Sequence, residues 1–202
     1  YVLRGRGRGW LPHEEKGGGF AYVTTDALNF TFTARIAEAP EGAPMPRYGV
    51  CVRTEAGAYD RMLVLRYADY PQHKCVQWYY RYGVAASTHA GANRIYRHGL
   101  LSDLEKREGY WLRIIRRYPV YRLYISDDGQ DWREVAADYC FTFPHREVSV
   151  GLLLTSGAQG DMASVTFDNV SFAERIVPGT VNIDQGMDFR FDADGNEIGG
   201  CA

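Results

Sequence analysis

The sequence predicts an all-β protein folded as a sandwich of two antiparallel sheets, and three observations support this. Much of the 202-residue chain consists of short stretches in which apolar and polar residues alternate, the period of a half-buried strand. Residues that favour turns, mainly Gly, Pro and Asp, separate these stretches. No segment of ten or more residues has a helical period, and short strands without helices are typical of a sandwich or jelly roll.

The first half of the chain predicts five strands. Residues 29–36, NFTFTARI, alternate apolar and polar residues and lead into a Pro-rich loop. Three further stretches, at 47–55, 61–67 and 74–84, predict an antiparallel meander. Residues 85–107 predict a long loop with one short strand at 94–98, and the charged run 103–108 allows one helical turn.

The second half is more strongly patterned. Strands are predicted at 110–118 and 120–126, followed by a tight hairpin turn at Asp128-Gly129 and a return strand at 131–136. Residues 147–156 and 162–174 predict the last two strong strands.

A boundary is predicted after Arg175. Residues 1–175 form the sandwich, whereas residues 176–202 are polar, Gly-rich and weakly patterned. The second segment is a linker, the start of a further domain, or a tail that adds an edge strand. Asp194-Gly195 favours a small hairpin within it. As a tail, it would also offer a surface for self-association.

Composition excludes several classes of protein. The net charge is −2, so the chain lacks the strongly basic surface that a nucleic-acid partner requires. No apolar run approaches the roughly 18 residues that a membrane-spanning helix needs. The chain begins at Tyr1 rather than Met, which indicates processing or a piece of a longer protein.

Arginine and tyrosine are unusually frequent. Of the 23 basic residues only Lys16, Lys74 and Lys106 are lysines, and the chain has 15 tyrosines. The guanidinium group of arginine forms bidentate hydrogen bonds with carboxylates, and tyrosine has a flat apolar ring with a polar hydroxyl group. Both suit a sugar-binding surface, and arginine suits an acidic sugar in particular. Biased base composition and ordinary strand preference explain the same counts without any ligand.

Several short motifs occur in a fixed order along the chain. They are GVCVR (49–53), LRIIR (112–116), SDDGQDW (126–132), VSVGL (148–152) and VTFDNV (165–170). The series resembles the strand motifs of concanavalin A-like lectin/glucanase domains, LamG-like jelly rolls, over roughly residues 20–175. Such domains are attached to glycoside hydrolases or occur as small stand-alone proteins. The resemblance implies a jelly-roll fold and a carbohydrate-binding or accessory module working outside the cell or at its surface.

A sugar site on this fold is expected on the concave sheet or at its edge loops. Strand alternation selects the side chains that point away from the core. The candidate ligand-binding residues are Gln77, Tyr79, Arg81, Arg113, Arg122 and Tyr124. In the strand 74–84 the sequence does not decide which alternate residues point outward, and the other possible outward set is Trp78, Tyr80 and Tyr82. A solvated sheet face with cross-strand packing is the alternative role for all of them.

The sequence leans against an enzyme. Glucanases of this fold often carry their paired carboxylates in an E-x-D-x-x-E pattern on one strand, and this sequence has no such pattern. The remaining enzymatic alternatives are an atypical hydrolase and a lyase of acidic polysaccharide. In such a lyase, Arg neutralises a uronate while Tyr or His moves a proton. A structural or assembly domain is a third alternative.

Two further expectations concern metal ions and cysteines. By the resemblance, Asp168 in the FDNV motif matches a position that often holds a structural calcium ion, and hard cations prefer such oxygen ligands. Hydrogen bonding of Asp168 to neighbouring backbone is the alternative. The cysteines contain no C-x-x-C pair and do not predict zinc. Buried thiols are expected, with a Cys51–Cys75 bridge as the alternative, for Cys51, Cys75, Cys140 and Cys201.

Overall fold

The structure is a computed structural model that describes most of the chain. The described residues are 1–7, 18–40, 43, 45–56, 59–69, 74–84, 94–102, 109–118, 120–139, 147–158, 160–177, 181–183, 188–191 and 197–199. They form strands and turns, and they contain no helix. Within this part of the chain, therefore, no helix is long and apolar enough to cross a membrane.

The described residues form fifteen strands. The first seven are β1 (Val2–Arg6), β2 (Gly19–Thr25), β3 (Asn29–Glu38), β4 (Arg47–Ala56), β5 (Tyr59–Asp69), β6 (Lys74–Val84) and β7 (Arg94–Ser102). The next five are β8 (Trp111–Arg117), β9 (Val120–Ser126), β10 (Trp132–Tyr139), β11 (Val148–Thr155) and β12 (Met162–Ala173). Three short strands follow, namely β13 (Val181–Ile183), β14 (Asp188–Phe191) and β15 (Glu197–Gly199).

The strands pair into two sheets. A nine-stranded sheet has the order β1-β12-β3-β8-β9-β10-β13-β14-β15, and a six-stranded sheet has the order β2-β11-β4-β5-β6-β7. Neighbours are antiparallel, except that β13 lies parallel to β10. The predicted all-β fold with two antiparallel sheets is confirmed. The strands 47–55, 61–67 and 74–84 form the predicted meander as β4, β5 and β6.

The main core lies between the two sheets. Every second residue of β3 is apolar, so Phe30, Phe32, Ala34 and Ile36 all face it. The six-stranded sheet contributes an equivalent set from its central strands, namely Val50, Val52, Leu63, Leu65, Val150 and Leu152. Burying a side chain of this kind contributes about 1.5–3 kcal/mol, so the alternation itself holds the sheets together.

The segment after β6 differs from the expectation. A short strand was expected at 94–98, but β7 extends to Ser102 and pairs with β6 over most of its length. Pairing with β6, rather than the weak alternation of its own residues, therefore determines the length of β7. The predicted helical turn at 103–108 lies outside the described residues.

The hairpin between β9 and β10 explains the motif SDDGQDW (126–132). The Ser126 hydroxyl donates to Asp128 Oδ1 at 2.9 Å and accepts the amide of Gly129 at 2.9 Å. The same carboxylate oxygen accepts the amides of Gln130 and Asp131, which lowers the pKa of Asp128. The Trp132 indole closes the turn by donating to the Gly129 carbonyl at 3.1 Å. The motif residues therefore fix a turn.

Gly129 is required for two reasons. Its φ is +76°, a conformation that L side chains rarely adopt. An added Cβ would also lie 2.7 Å from the Trp111 ring. The turn therefore depends on the absence of a side chain at this position.

Replacing Gly129 by alanine should lower the free energy of unfolding by roughly 1–3 kcal/mol, because the new methyl group meets both the strained backbone and the ring. Gly160→Ala is the matched control, since Gly160 also has a positive φ but no atom lies within 4 Å of the position that a Cβ would occupy there. Urea denaturation of both variants checks this. Equal losses in the two variants would show that contact with Trp111 contributes nothing.

Candidate functional site

The structure divides the six predicted binding residues between the two sheets. Gln77, Tyr79 and Arg81 belong to β6 in the six-stranded sheet, and their side chains lie outside the described part. The other three belong to β8 and β9 in the nine-stranded sheet. No single sheet therefore contains all six residues.

The alternation of residues in β8 and β9 predicted correctly which side chains point away from the main core. Leu112, Ile114, Leu123 and Ile125 point into the main core, so Arg113, Arg122 and Tyr124 lie on the outer face of the nine-stranded sheet. That face is not open at these positions, however. Tyr124 is fully buried, and Arg113 is only 9% exposed.

The segment that follows β12 covers this part of the outer face. The Thr31 hydroxyl donates to the carbonyl of Arg175 and accepts the amide of Val177, both at 3.0 Å. These two bonds hold the backbone across the sheet. Ile176 lies between them, is 1% exposed, and completes a second apolar cluster with Ile115, Tyr124 and Trp132.

The charged residues beneath this cover have partners of their own. The guanidinium carbon of Arg113 lies 3.7 Å from the Trp132 ring centre, and its Nε donates to Thr33 Oγ1 at 3.0 Å. Burial lowers the pKa of Arg113 to about 10. Arg122 forms an ion pair with Glu134 at 3.0 Å. Burial raises the pKa of Tyr124, and its hydroxyl stays protonated.

These contacts describe packing. A ligand would reach Arg113 and Tyr124 only after displacing Ile176, so their role in binding stays a prediction. The sequence did not reveal the cover, because Ile176 is one apolar residue in a segment that is otherwise typical of a polar tail.

A depression of about 170 Å³ lies on the outer side of the six-stranded sheet. Three adjacent strands form it, and its position near the end of these strands brings a few core-facing residues to its edge. The lining residues are Phe20, Tyr22 and Thr24 from β2, Arg53 and Thr54 from β4, and Glu147, Val148 and Ser149 at the start of β11.

The register of the strands explains how the depression forms. Thr24, Ser149 and Arg53 lie side by side in one row across β2, β11 and β4. In the next row, Tyr22 pairs with Gly151, which has no side chain to fill the space beside the tyrosine ring. An added Cβ at Gly151 would collide with the carbonyl oxygen of Ala21, so the two strands approach too closely for any other residue.

The lining combines an aromatic surface with polar groups. Tyr22 is 58% exposed, and its ring stacks on Phe20 with centroids 4.9 Å apart and planes 19° apart. Phe20 in turn packs on a small buried cluster of Cys51, Val64 and Leu153, which fixes the stack from below. The result is a supported aromatic platform.

The polar groups lie next to this platform. The Thr24 and Ser149 hydroxyls are 3.4 Å apart, with Arg53 on the next strand. Glu147 is exposed and is the one carboxylate among the described lining residues.

Sequence reasoning missed this site. The signal was the alternation in GFAYVTT (19–25), where Phe20, Tyr22 and Thr24 occupy one face. The stretch follows a run of glycines, and its neighbour β11 is distant in sequence. Pairing with β11 is therefore what defines it as a strand.

The predicted calcium ligand lies at an irregularity in β12. Asp168 Oδ2 is 3.6 Å from Arg35 Nη1, and Asn169 Nδ2 donates to its Oδ1 at 3.2 Å. Asn169 has a φ of +47°, which marks the bulge. Among the described residues there is no group of three or more His, Cys, Asp or Glu that could hold a metal ion. The calcium site stays a prediction.

The register excludes the alternative bridge between Cys51 and Cys75. Cys51 pairs with Val64, whereas Cys75 pairs with Ala68 on the far side of β5. Two strand spacings amount to about 9.6 Å, and a disulfide requires Cα atoms within about 7 Å. Cys51 is instead fully buried beside Val64 and Leu153.

No known protein family and no curated protein matches this chain. Similarity is found among solved structures. A functionally unknown protein from Saccharomyces cerevisiae has a TM-score of 0.63 at 16% identity, over 87% of this chain and 88% of its own. The GH43 protein BlXynB from Bacillus licheniformis has a TM-score of 0.52 at 14% identity, over 86% of this chain. This chain spans 33% of that protein's length.

A third structure is less similar. The carbohydrate-binding module CBM66 from Bacillus subtilis has a TM-score of 0.44 at 15% identity, over 78% of this chain and 83% of its own. The first two similarities show a shared fold. They agree with the predicted sandwich of two antiparallel sheets.

Ile176→Ala should lower the free energy of unfolding by about 2–5 kcal/mol, because it leaves a cavity above Trp132 and Tyr124. Val177→Ala is the matched control. Its side chain is only partly buried, and its backbone bond to Thr31 is kept. Thermal and urea unfolding measure both variants. A loss below about 0.5 kcal/mol for Ile176→Ala would show that the segment does not cover the sheet in solution.

Proposed function

We propose that this chain binds carbohydrate in the depression on the outer face of the six-stranded sheet. The observation that carries the proposal is the exposed Tyr22 ring, supported by Phe20 and next to a row of polar side chains. Aromatic faces stack on the apolar faces of sugar rings, while hydroxyl, guanidinium and carboxylate groups bond to sugar hydroxyls.

The geometry favours a binding role over a catalytic one. The platform is fixed before a ligand arrives, because Phe20 and the buried cluster hold Tyr22 in place. A rigid aromatic side chain loses little conformational freedom on binding, which favours affinity. The depression is small and lies on a sheet surface, so one or two sugar rings would fill it.

The biological setting is part of the same proposal. We infer an accessory module of a polysaccharide-processing system, working outside the cell or at its surface. The resemblance of the strand motifs to domains attached to glycoside hydrolases supports this setting. Residues 175–177 and β13 pack against the chain's own nine-stranded sheet, so the proposal needs no second copy.

Tyr22→Ala should weaken glycan binding at least tenfold without changing the melting temperature, because stacking of a sugar on the ring is lost while the exposed side chain contributes little to folding. Tyr1→Ala is the matched control, since Tyr1 is also an exposed tyrosine but lies just before β1 of the other sheet. A glycan array followed by calorimetry on the best ligand measures both variants.

Three results would count against the proposal. They are no binding to neutral or acidic glycans, equal affinity of Tyr22→Ala and the unmodified protein, or an equal loss in Tyr1→Ala. Release of unsaturated uronate products, seen as rising ultraviolet absorbance, would replace binding by a lyase activity.

We also propose that Asp168 contributes to a structural calcium site, as the strand-motif resemblance implies. Calcium should then raise the melting temperature relative to a chelator, and Asp168→Asn should abolish the difference. Asp161→Asn is the control, because it removes an exposed carboxylate just before β12. An identical melting temperature with calcium and with chelator would exclude the site.

A further inference from the structure

Strand β2 is an edge strand of the six-stranded sheet, and its core-side residues are not covered. Ala21 and Val23 pair with Leu152 and Val150 of the main core, so their side chains point to the same side of the sheet. Both are nevertheless exposed, Val23 to 42%. Tyr22 is exposed on the opposite side. Solvent therefore reaches apolar side chains on both sides of this strand.

The backbone of β2 forms a ladder with β11, and no described strand pairs with its other side. β1 approaches the beginning of β2, where a Cβ added to Gly19 would lie 2.9 Å from the carbonyl oxygen of Arg4. At the other end the chain turns at Thr25, whose hydroxyl accepts the amide of Ala27 and donates to Glu174. Residues 21–24 lie between these two points and form an edge that a further strand can extend.

The composition of β2 favours such pairing. Its sequence, GFAYVTT, contains no charged residue and no proline, and its seven pairs with β11 include no bulge. β1, the edge strand of the nine-stranded sheet, has the exposed residues Arg4 and Arg6 among its five. Charges, prolines and bulges on an edge strand oppose pairing with another chain. Of these two edges, β2 is therefore the one that favours an added strand.

We propose that two copies of this chain join their β2 strands antiparallel around a two-fold axis at Tyr22, so that the two six-stranded sheets become one continuous sheet. This axis places Ala21 opposite the partner's Val23, a small side chain beside a larger one, twice over. No like charges meet at the axis, because the strand is uncharged. A charged edge would instead require a partner of the opposite charge.

The position of the axis follows from the two ends of the exposed stretch. An axis at Tyr22 keeps the paired residues before Thr25, whereas an axis at Val23 would include Thr25, where the chain begins to turn. The two Tyr22 rings do not compete for space. Each stacks on the Phe20 of its own strand, and the two strands run in opposite directions.

This inference goes beyond the proposed carbohydrate binding and does not rest on it. Where both hold, the two depressions lie on the same face of the joined sheet, on either side of the axis. A polysaccharide that reaches both of them is bound more tightly than by one copy alone, because the second contact is intramolecular.

Sedimentation velocity of the full chain over a range of concentrations tests the proposal. We expect a reversible dimer of the unmodified protein. Ala21→Lys combined with Val23→Lys should weaken dimerisation at least tenfold, because the introduced lysines then face each other across the axis. Ala21→Lys combined with Val23→Glu should restore it, because each introduced lysine then faces a glutamate of the second copy.

Val2→Lys combined with Leu28→Lys is the matched control, since it adds the same charge at two exposed apolar residues outside β2. It should dimerise like the unmodified protein. Circular dichroism confirms that every variant folds.

Several results would overturn the proposal. They are a monomer at every concentration, a dimer that the two lysines in β2 leave intact, and an equal weakening in the control. A glutamate-containing variant that stays as weak as the variant with two lysines would exclude pairing about Tyr22. None of these results depends on glycan binding, so failure of one proposal is distinguishable from failure of the other.

Discussion

The two hydrogen bonds of the Thr31 hydroxyl decide which surface of this sandwich can meet a ligand. They hold residues 175–177 across the nine-stranded sheet and place Ile176 on Trp132 and Tyr124. This sheet therefore has apolar packing on both sides near β8 and β9. On the six-stranded sheet, the described outward side chains that stay exposed are those of β2, namely Tyr22 and Thr24, next to the partly buried Arg53 and Ser149 at the strand ends.

Two glycines allow close approach of neighbouring strands in the six-stranded sheet. Gly151 lies beside the exposed Tyr22, whereas Gly49 lies beside the buried Arg66. Both glycines are required by this close contact between strands. A larger residue at either position would collide with the backbone of the paired strand and force the two strands apart.

The fold could be predicted because alternation is a local property. NFTFTARI and VYRLYIS each carry their own period, and Asp128-Gly129 marks the turn after the second. β7 was only partly predicted, since its pairing with β6 supplies what its own pattern lacks. The site could not be predicted in the same way. Alternation shows that Arg113 and Tyr124 leave the main core, but only the fold shows that Ile176 then covers them.

In both sheets, strands from the first part of the sequence pair with strands more than a hundred residues later. β1 pairs with β12, β2 pairs with β11, and the amino group of Tyr1 donates to the carbonyl of Phe167 at 2.6 Å. The pairing of β2 therefore waits for β11, which ends at Thr155, and the pairing of β1 and β3 waits for β12, which ends at Ala173. Contacts so distant in sequence make folding slow, because loop-closure entropy is lost before the strands pair. During synthesis, the sheets that contain strands β3 to β9 have unpaired edges and exposed aromatic side chains until β11 and β12 have been made. In this interval the chain is most prone to aggregation.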